Sequence, residues 1–467
     1  MSTINTNINS LVAQRVLKQN NNNLNTSLAR LSTGLKINSG KDDPAGLIAA
    51  KNLEGEQSGI TAALSNATRA GNIVGTAEGG LNEISSLLTQ LQGLVTASSN
   101  TGGLSPEEVA ANQLQVDSIL STVNRVAGST NFQGIQLLNG NFDYLTSGVT
   151  TTEVSALRVN AASVPDGSNV NVSVNVTQSA QTGVVTYSGG TLGAGGATIL
   201  VSGSKGAQQL SFSSGTTVSG IASAVNAVKA STGLSAQVSG AALRINSTDF
   251  GSKSFVAVSA VSGTFAPSVA KDFGRDAAVQ VNGTAATANG KDVTVRTAGL
   301  DVEFSIGNLI NTTGGASSFQ ITGGGATFSL GSKVTENSKA SIGIGSVTSA
   351  SLGNANTGFL NSLGSGGANA LSSGSLVAAQ DILTSATKQV STLRGRLGAF
   401  QKLTIQSTVN NLGVAFENSS AALSAIQDTD FAQETSNLTR SQILSQAATT
   451  VLSQANAAPQ SVLSLLR

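Results

Sequence analysis

Both ends of this 467-residue chain carry rows of apolar residues at helical spacing, and the glycine-rich middle does not. Near the front, Leu24, Leu28, Leu31 and Leu35 follow one another at intervals of four, three and four residues. Helices with a single apolar face need a partner that covers it. We therefore expect the two ends to meet. The terminal apolar rows comprise Ile4, Ile8, Leu11, Leu24, Leu28, Leu31 and Leu35 at the front and Leu438, Leu444, Val451, Leu452, Leu463, Leu465 and Leu466 at the back.

The middle of the chain, residues 148–366, has the period of two that is typical of strands, as in Val170, Val172, Val174 and Val176. A short helix is predicted at 219–231. The fold class is therefore α+β: a long antiparallel helical stem, a coiled coil or bundle formed by the N- and C-terminal segments, with β-rich outer insert domains. The predicted segments are 1–43, 44–147, 148–366 (two subdomains), 367–427 and 428–467.

Turn and cap residues place the boundaries of the stem helices. Gly34 suits the end of the first helix, and Asp43 followed by Pro44 suits the start of a second that runs to about Ser99. Ser105 opens a third helix through a capping box. Further expectations are a hairpin over 132–144 that turns at Asn139–Gly140, a helix from Leu376 with Leu403, Leu412 and Leu423 packed inside the stem, and a helix break at Pro459–Gln460.

The composition excludes most catalytic chemistry. The chain has no His and no Cys, so it lacks the residues of a Ser-His-Asp triad, a Cys-His dyad or a His-based zinc site. The acidic pairs Asp42/Asp43 and Asp428/Asp430 stand where helices begin, where carboxylates accept hydrogen bonds from free N–H groups. We therefore predict no enzyme activity, no cofactor and no metal site.

Charge and hydropathy exclude two classes of partner. The net charge is +1 without basic runs, which argues against nucleic acid. No apolar run reaches the roughly 18 residues of a membrane span, so no membrane segment is predicted. The N-terminus lacks a basic cluster followed by an apolar block, so no ordinary secretory signal is expected.

Short motifs at both termini resemble those of bacterial flagellin. At the front they are MSTINTN (1–7), LSTGLKINS (31–39) and DDPAGL (42–47). At the back they are DTDFA (428–432), QIL with QA (442–447) and PQSVLSLLR (459–467). Together they span roughly the first 140 and the last 95 residues.

The resemblance implies a structural subunit that polymerises into the helical filament used for motility. It further implies export through the flagellar apparatus without a cleaved signal, an extracellular location, and an export chaperone, cap and hook-junction proteins as partners. The small apolar area of the terminal helices also favours a polymer, because two helices that are polar outside one seam bury little apolar surface by themselves. Contacts between copies that do not close into a ring build a helical filament. The terminal apolar rows would be the polymerisation seam. Alternatives are a hook–filament junction protein and a secreted adhesin.

In flagellins, a vertebrate Toll-like receptor reads an exposed helical face that usually carries the motif Leu-Gln-Arg-x-Arg-Glu-Leu. The corresponding run here is LTQLQGL (88–94), which lacks both arginines. An interfacial Arg is a planar, multi-donor anchor that Gln does not replace. With Thr89, Gln90 and Leu94 on this face and Gln115 in place of the usual Glu on the next helix, the resemblance implies weak recognition by this innate immune receptor.

Overall fold

The computed structural model describes residues 6–100, 103–165, 168–193, 195–297, 299–354, 357–372 and 375–464, the last six of them by their helical backbone alone. Ile4, Leu465 and Leu466 lie outside the described residues, as does the side chain of Leu463. By their contacts the described residues divide into two compact units. The first contains residues up to Ala67, Leu330–Ser338 and those from Ser407 onward, and the second contains Thr68–Ser329 and Lys339–Gln406.

The helices account for both ends of the chain, as predicted. In chain order they are α1 (Ile8–Thr33), α2 (Pro44–Ser98), α3 (Pro106–Ser129), α4 (Val218–Ala227), α5 (Lys229–Thr232), α6 (Leu376–Ala399), α7 (Gln406–Gln427) and α8 (Phe431–Ser464). A π-helical turn, Phe400–Ile405, joins α6 to α7 without a break. No helix in the described part of the chain has the length and hydropathy needed to cross a bilayer.

The predicted caps are confirmed. Gly34 ends α1 with a φ of 75°, a left-handed conformation that glycine adopts without a steric penalty. The Asp43 side chain accepts a hydrogen bond from the Gly46 backbone N–H at 2.9 Å and so caps α2. Ser105 and Glu108 form the capping box of α3. These short-range hydrogen bonds satisfy N–H groups that a helix start leaves free, which is why the sequence alone locates them.

The strands fill the middle of the chain. They are β1 (Asn131–Phe132), β2 (Ile135–Gln136), β3 (Tyr144–Ser147), β4 (Val154–Ala162), β5 (Val170–Gln178), β6 (Val184–Tyr187), β7 (Ala197–Gly203), β8 (Gly206–Phe212), β9 (Leu234–Ser239), β10 (Ala242–Ser247), β11 (Phe255–Gly263), β12 (Lys271–Phe273), β13 (Ala278–Val281), β14 (Thr284–Ala285), β15 (Thr287–Asn289), β16 (Asp292–Arg296), β17 (Leu300–Ile306), β18 (Gly315–Gly324), β19 (Ala326–Ser329), β20 (Lys339–Ile342), β21 (Gly353–Asn354) and β22 (Gly358–Phe359).

All of these strands pair antiparallel, and four of the sheets that they form enclose two apolar cores. The sheets β14-β13-β5-β18-β3 and β15-β16-β17-β4 enclose the first core, which includes Val172, Val174 and Val176. The sheets β6-β10-β9 and β12-β11-β7-β8 enclose the second core together with α4. The chain enters and leaves this second set of strands at adjacent points, because Gln181 and Arg275 exchange two backbone hydrogen bonds of 2.8 and 2.9 Å.

Three local predictions are wrong. The hairpin is β1–β2 and turns at Gln133–Gly134, where both residues have positive φ, whereas Asn139–Gly140 forms a separate turn after it. The expected short helix at 219–231 is two helices, α4 and α5, that meet at Val228. Leu403 is not packed inside the stem, since its side chain lies within the π-helical turn and is 69% exposed.

The predicted break at Pro459–Gln460 is also wrong, because α8 continues through both residues to Ser464. A proline inside a helix normally costs a hydrogen bond, since it has no N–H to donate to the carbonyl four residues earlier. Here that carbonyl belongs to Ala455, and the Asn7 side chain donates to it at 2.8 Å.

Candidate assembly interface

The helices α1 and α8 lie side by side and run antiparallel within the first unit. Asn7 reaches the Ala455 carbonyl, and Asn20 Nδ2 donates to the Leu444 carbonyl at 3.2 Å. At the other end, the Thr429 backbone N–H donates to the Gly34 carbonyl at 2.9 Å. The predicted meeting of the two chain ends is therefore observed along the whole length of α1.

The seam between α1 and α8 is built mostly from small and polar residues. Ser10, Ala13, Ser27 and Ala448 are the buried examples. The inward positions alternate at intervals of three and four, the pattern of a coiled-coil seam. In α1 they are Ser10, Ala13, Leu17, Asn20, Leu24, Ser27 and Leu31, and in α8 they are Glu434, Leu438, Ser441, Ser445, Ala448, Leu452 and Ala455.

Polar contacts link these helices across the seam. Ser10 Oγ donates to Asn456 Oδ1, and Ser445 Oγ donates to Asn21 Oδ1, both at 2.7 Å. Arg30 and Glu434 form an ion pair of 3.7 Å, in which the Glu434 side chain is only 8% exposed. The Ser445 contact is exposed and the Ser10 contact is part-buried, whereas Glu434 is buried. A buried charge that is paired in only one register favours that alignment of α1 with α8.

Large apolar side chains lie on the outer faces of the same two helices. The exposed fractions are 63% for Ile8, 58% for Leu11, 64% for Ile443 and 58% for Val451. The others are Val12, Val16, Leu28, Phe431 and Leu444. We call these nine residues the outer apolar residues. Exposed apolar groups concentrated on one part of a protein indicate a surface that a partner covers.

The structure thus separates the terminal apolar rows into two groups. Leu24, Leu31, Leu35, Leu438 and Leu452 are half-buried on the inner side, with Leu35 bridged to Asp428. Ile8, Leu11, Leu28, Leu444 and Val451 are exposed. The terminal apolar rows do not include the small residues of the seam, nor four of the outer apolar residues: Val12, Val16, Phe431 and Ile443. A heptad count that started from Ser10 and admitted Ser and Ala would have found the seam.

The residues of the predicted receptor face lie on α2 and α3 in the second unit. Thr89, Gln90 and Gln115 are exposed, and Leu94 is half-buried. Their neighbours Leu88 and Leu91 are fully buried, whereas Leu114, next to Gln115, is 70% exposed. The role of these four residues stays a prediction.

A charged cleft of about 900 Å³ in the second unit was not predicted from the sequence. Arg396 of α6 donates to Glu303 of β17 at 2.6 Å and also to Asn160 of β4, whose amide donates to Asp301 at 3.1 Å. Burial lowers the pKa of Arg396, although the Glu303 carboxylate opposes this shift. The charges in this network are paired with one another, which suits an attachment of α6 to the sheet rather than the activation of a substrate.

Comparison with known proteins decides the family. The model of the bacterial flagellin N-terminal helical region matches residues 4–143, and that of the C-terminal helical region matches residues 380–466. The B-type flagellin of Pseudomonas aeruginosa is 32% identical over all of this chain and 99% of its own length. The chain belongs to the bacterial flagellin family. The flagellin of Salmonella typhimurium is 30% identical and the polar flagellin B/D of Vibrio parahaemolyticus 29% identical, each over 99% of both chains.

Among solved structures, FliC from Burkholderia pseudomallei covers 71% of this chain and 99% of its own, at 16% identity and a TM-score of 0.24. With so low a score, membership of the family depends on the sequence matches. As a flagellin, the protein is a structural subunit of the helical flagellar filament, and its relatives imply an extracellular location. The hook-junction and adhesin alternatives are not favoured by these matches.

Proposed function

We propose that the outer apolar residues of α1 and α8 are the contacts through which flagellin subunits polymerise. The observation that carries this proposal is their position: the helix pair satisfies its own seam with small and polar groups and leaves nine large apolar side chains uncovered. The segment division predicted from the sequence belongs to the proposal, with 1–43 and 428–467 in the inner core of the filament and 148–366 outside.

The energy available from such contacts is sufficient for stable assembly. Full burial of one Val, Leu, Ile or Phe side chain contributes about 1.5–3 kcal/mol. Several of these side chains from each subunit therefore offset the roughly 4–15 kcal/mol of lost translational and rotational freedom on association. A helical filament requires head-to-tail contacts that do not close into a ring, so we propose that the outer apolar residues of one subunit contact a different surface of the next.

The same exposure supports the proposed partners before assembly. A free subunit that exposes these apolar groups is prone to aggregate. We therefore propose that an export chaperone covers α8 until the chain leaves through the flagellar export apparatus without a cleaved signal. We also propose the cap and hook-junction proteins as partners, because a filament of this kind has two ends at which other proteins can bind.

We further propose that the chain has no catalytic activity and that the Toll-like receptor for flagellin recognises it weakly. The acidic pairs support the absence of catalysis, because Asp430 Oδ1 accepts from the Ala432 and Gln433 backbone N–H groups at 2.9 and 3.1 Å, as a helix cap does.

For the weak recognition by the receptor, a reporter-cell dose response should show low potency. Replacing Gln90 by Arg together with Gln115 by Glu should raise the potency.

Two neighbouring substitutions test the polymerisation proposal. Val451→Asp places a charge on the outer side, where water solvates it in the free subunit, so we expect normal helicity and no seeded filaments. Leu452→Asp places the charge in the half-buried inner seam, so it should also weaken α1–α8 pairing in the free subunit. Normal filaments from Val451→Asp would refute the proposal. Circular dichroism and electron microscopy after seeding provide the two readouts.

A further inference from the structure

The amide of Asn7 makes two hydrogen bonds that serve different helices. Its Oδ1 accepts from the Ser10 backbone N–H at 3.0 Å, which caps the start of α1. Its Nδ2 donates at 2.8 Å to the Ala455 carbonyl of α8, 448 residues away in sequence. Asn is one of the few side chains that can accept at a cap and donate elsewhere at the same time.

The carbonyl that Asn7 reaches is the one that Pro459 leaves without its helical donor. In an uninterrupted α-helix, the N–H of residue 459 would donate to the carbonyl of residue 455. Proline has no N–H, and its ring also pushes the carbonyl four residues earlier away from the helix axis. The Ala455 carbonyl therefore lacks its helical donor, and the Asn7 side chain of the neighbouring helix supplies one.

We propose that Asn7 is a positioning residue that compensates for Pro459 and thereby holds the end of α8 against the start of α1. Asn7 and Pro459 form a matched pair: the proline creates an acceptor, and the asparagine supplies the donor that keeps α8 helical through it. Ser10, which donates to Asn456 at 2.7 Å, reinforces the same junction. This inference deepens the proposed function and rests on it, because the junction aligns the outer apolar residues of both helices.

A double-mutant cycle separates this role from simple capping. Asn7→Asp keeps the acceptor that caps α1 but removes the donor to Ala455, and Pro459→Ala gives α8 back its own N–H. The four full-length proteins are the wild type, both single variants and the double variant. The measurement is the hydrogen-exchange rate of backbone amides in residues 8–14 and 445–458 of the free subunit.

In the wild-type background, Asn7→Asp should speed exchange about two- to tenfold, the effect of losing one net hydrogen bond. In the Pro459→Ala background, the same change should alter exchange by less than about twofold, because Ala455 then has a helical donor. An equal effect in both backgrounds would show that the Asn7 donor does not compensate for Pro459, and no effect in the wild type would show that Asn7 is only a cap. Either result would overturn the inference. Seeded polymerisation of the Val451→Asp variant tests the proposed function separately, so the two failures are distinguishable.

Discussion

At the scale of single residues, the assembly interface depends on which side of α1 each leucine occupies. Leu28 continues the leucine row of the sequence, yet it is 47% exposed, and Ser27 is buried in its place. Hydrophobicity alone does not distinguish the inner from the outer leucines, so both fall into one row in the sequence. Close packing of two helices favours small residues at the contact, so the actual seam has a weak hydrophobic signal.

The ion pair between Arg30 and Glu434 provides a prediction at the same scale. Glu434→Ala leaves the Arg30 guanidinium partly buried without its counter-charge. We expect the local opening free energy of α8 to fall by about 1–3 kcal/mol, because an unsatisfied buried polar group carries its desolvation cost. Hydrogen exchange of α8 amides measures this change. Glu434→Gln, which keeps the size and one acceptor oxygen but removes the charge, is the matched control and should have a smaller effect. Equal exchange rates in all three proteins would show that the pair does not fix the register.

At the scale of elements, the helix that runs from α6 into α7 contains one extra residue. Its inward positions recur every seven residues except across the π-helical turn, where Leu397 and Ile405 are eight apart. The full set is Leu383, Val390, Leu397, Ile405, Leu412, Ser419 and Ile426. One additional residue would rotate a regular helix by about 100°, and the wider π turn absorbs it. This explains why Leu403 faces outward.

Deleting one residue from the π-helical turn should therefore be tolerated. Deletion of the exposed Lys402 makes every interval seven, so we expect a regular helix and a helical melting temperature within about 3 °C of the wild type. Deletion of Gly413 in α7 is the matched control, because it shortens an interval to six and turns the inward positions after it away from their partners. A deletion of Lys402 as harmful as that of Gly413 would contradict this account. Thermal melts followed at 222 nm give the comparison.

The elements also show what the sequence was able to predict. Helix starts at Pro44 and Pro106 and the end at Gly34 depend on neighbouring residues, and the structure confirms them. The continuation of α8 through Pro459 depends on Asn7, which no local pattern identifies. The Arg396 network joins residues of β4, β17 and α6 that are far apart in sequence, so it too required the structure.

At the scale of the whole molecule, the second apolar core of the insert is a removable part. Gln181 and Arg275 pair with each other, and the residues of the second core lie between them in sequence. Replacing residues 182–274 by a two-residue Asn-Gly turn removes Phe250, which packs against the edge of the first core. The first core should stay folded without it, and polymerisation should stay intact, since the outer apolar residues lie elsewhere. Seeded filaments viewed by electron microscopy should then be thinner. Loss of filaments with a folded stem would show that this part of the insert makes an essential contact.

In the filament, the outer apolar residues should become buried between subunits while the inner seam stays as it is in the single chain. The most direct measurement is a cryo-electron microscopy map of filaments grown from the purified protein. We expect Leu11, Ile443 and Val451 to contact neighbouring subunits, with Ser27 and Ala448 still packed between α1 and α8 of one chain. A map in which these three side chains face solvent would contradict the account.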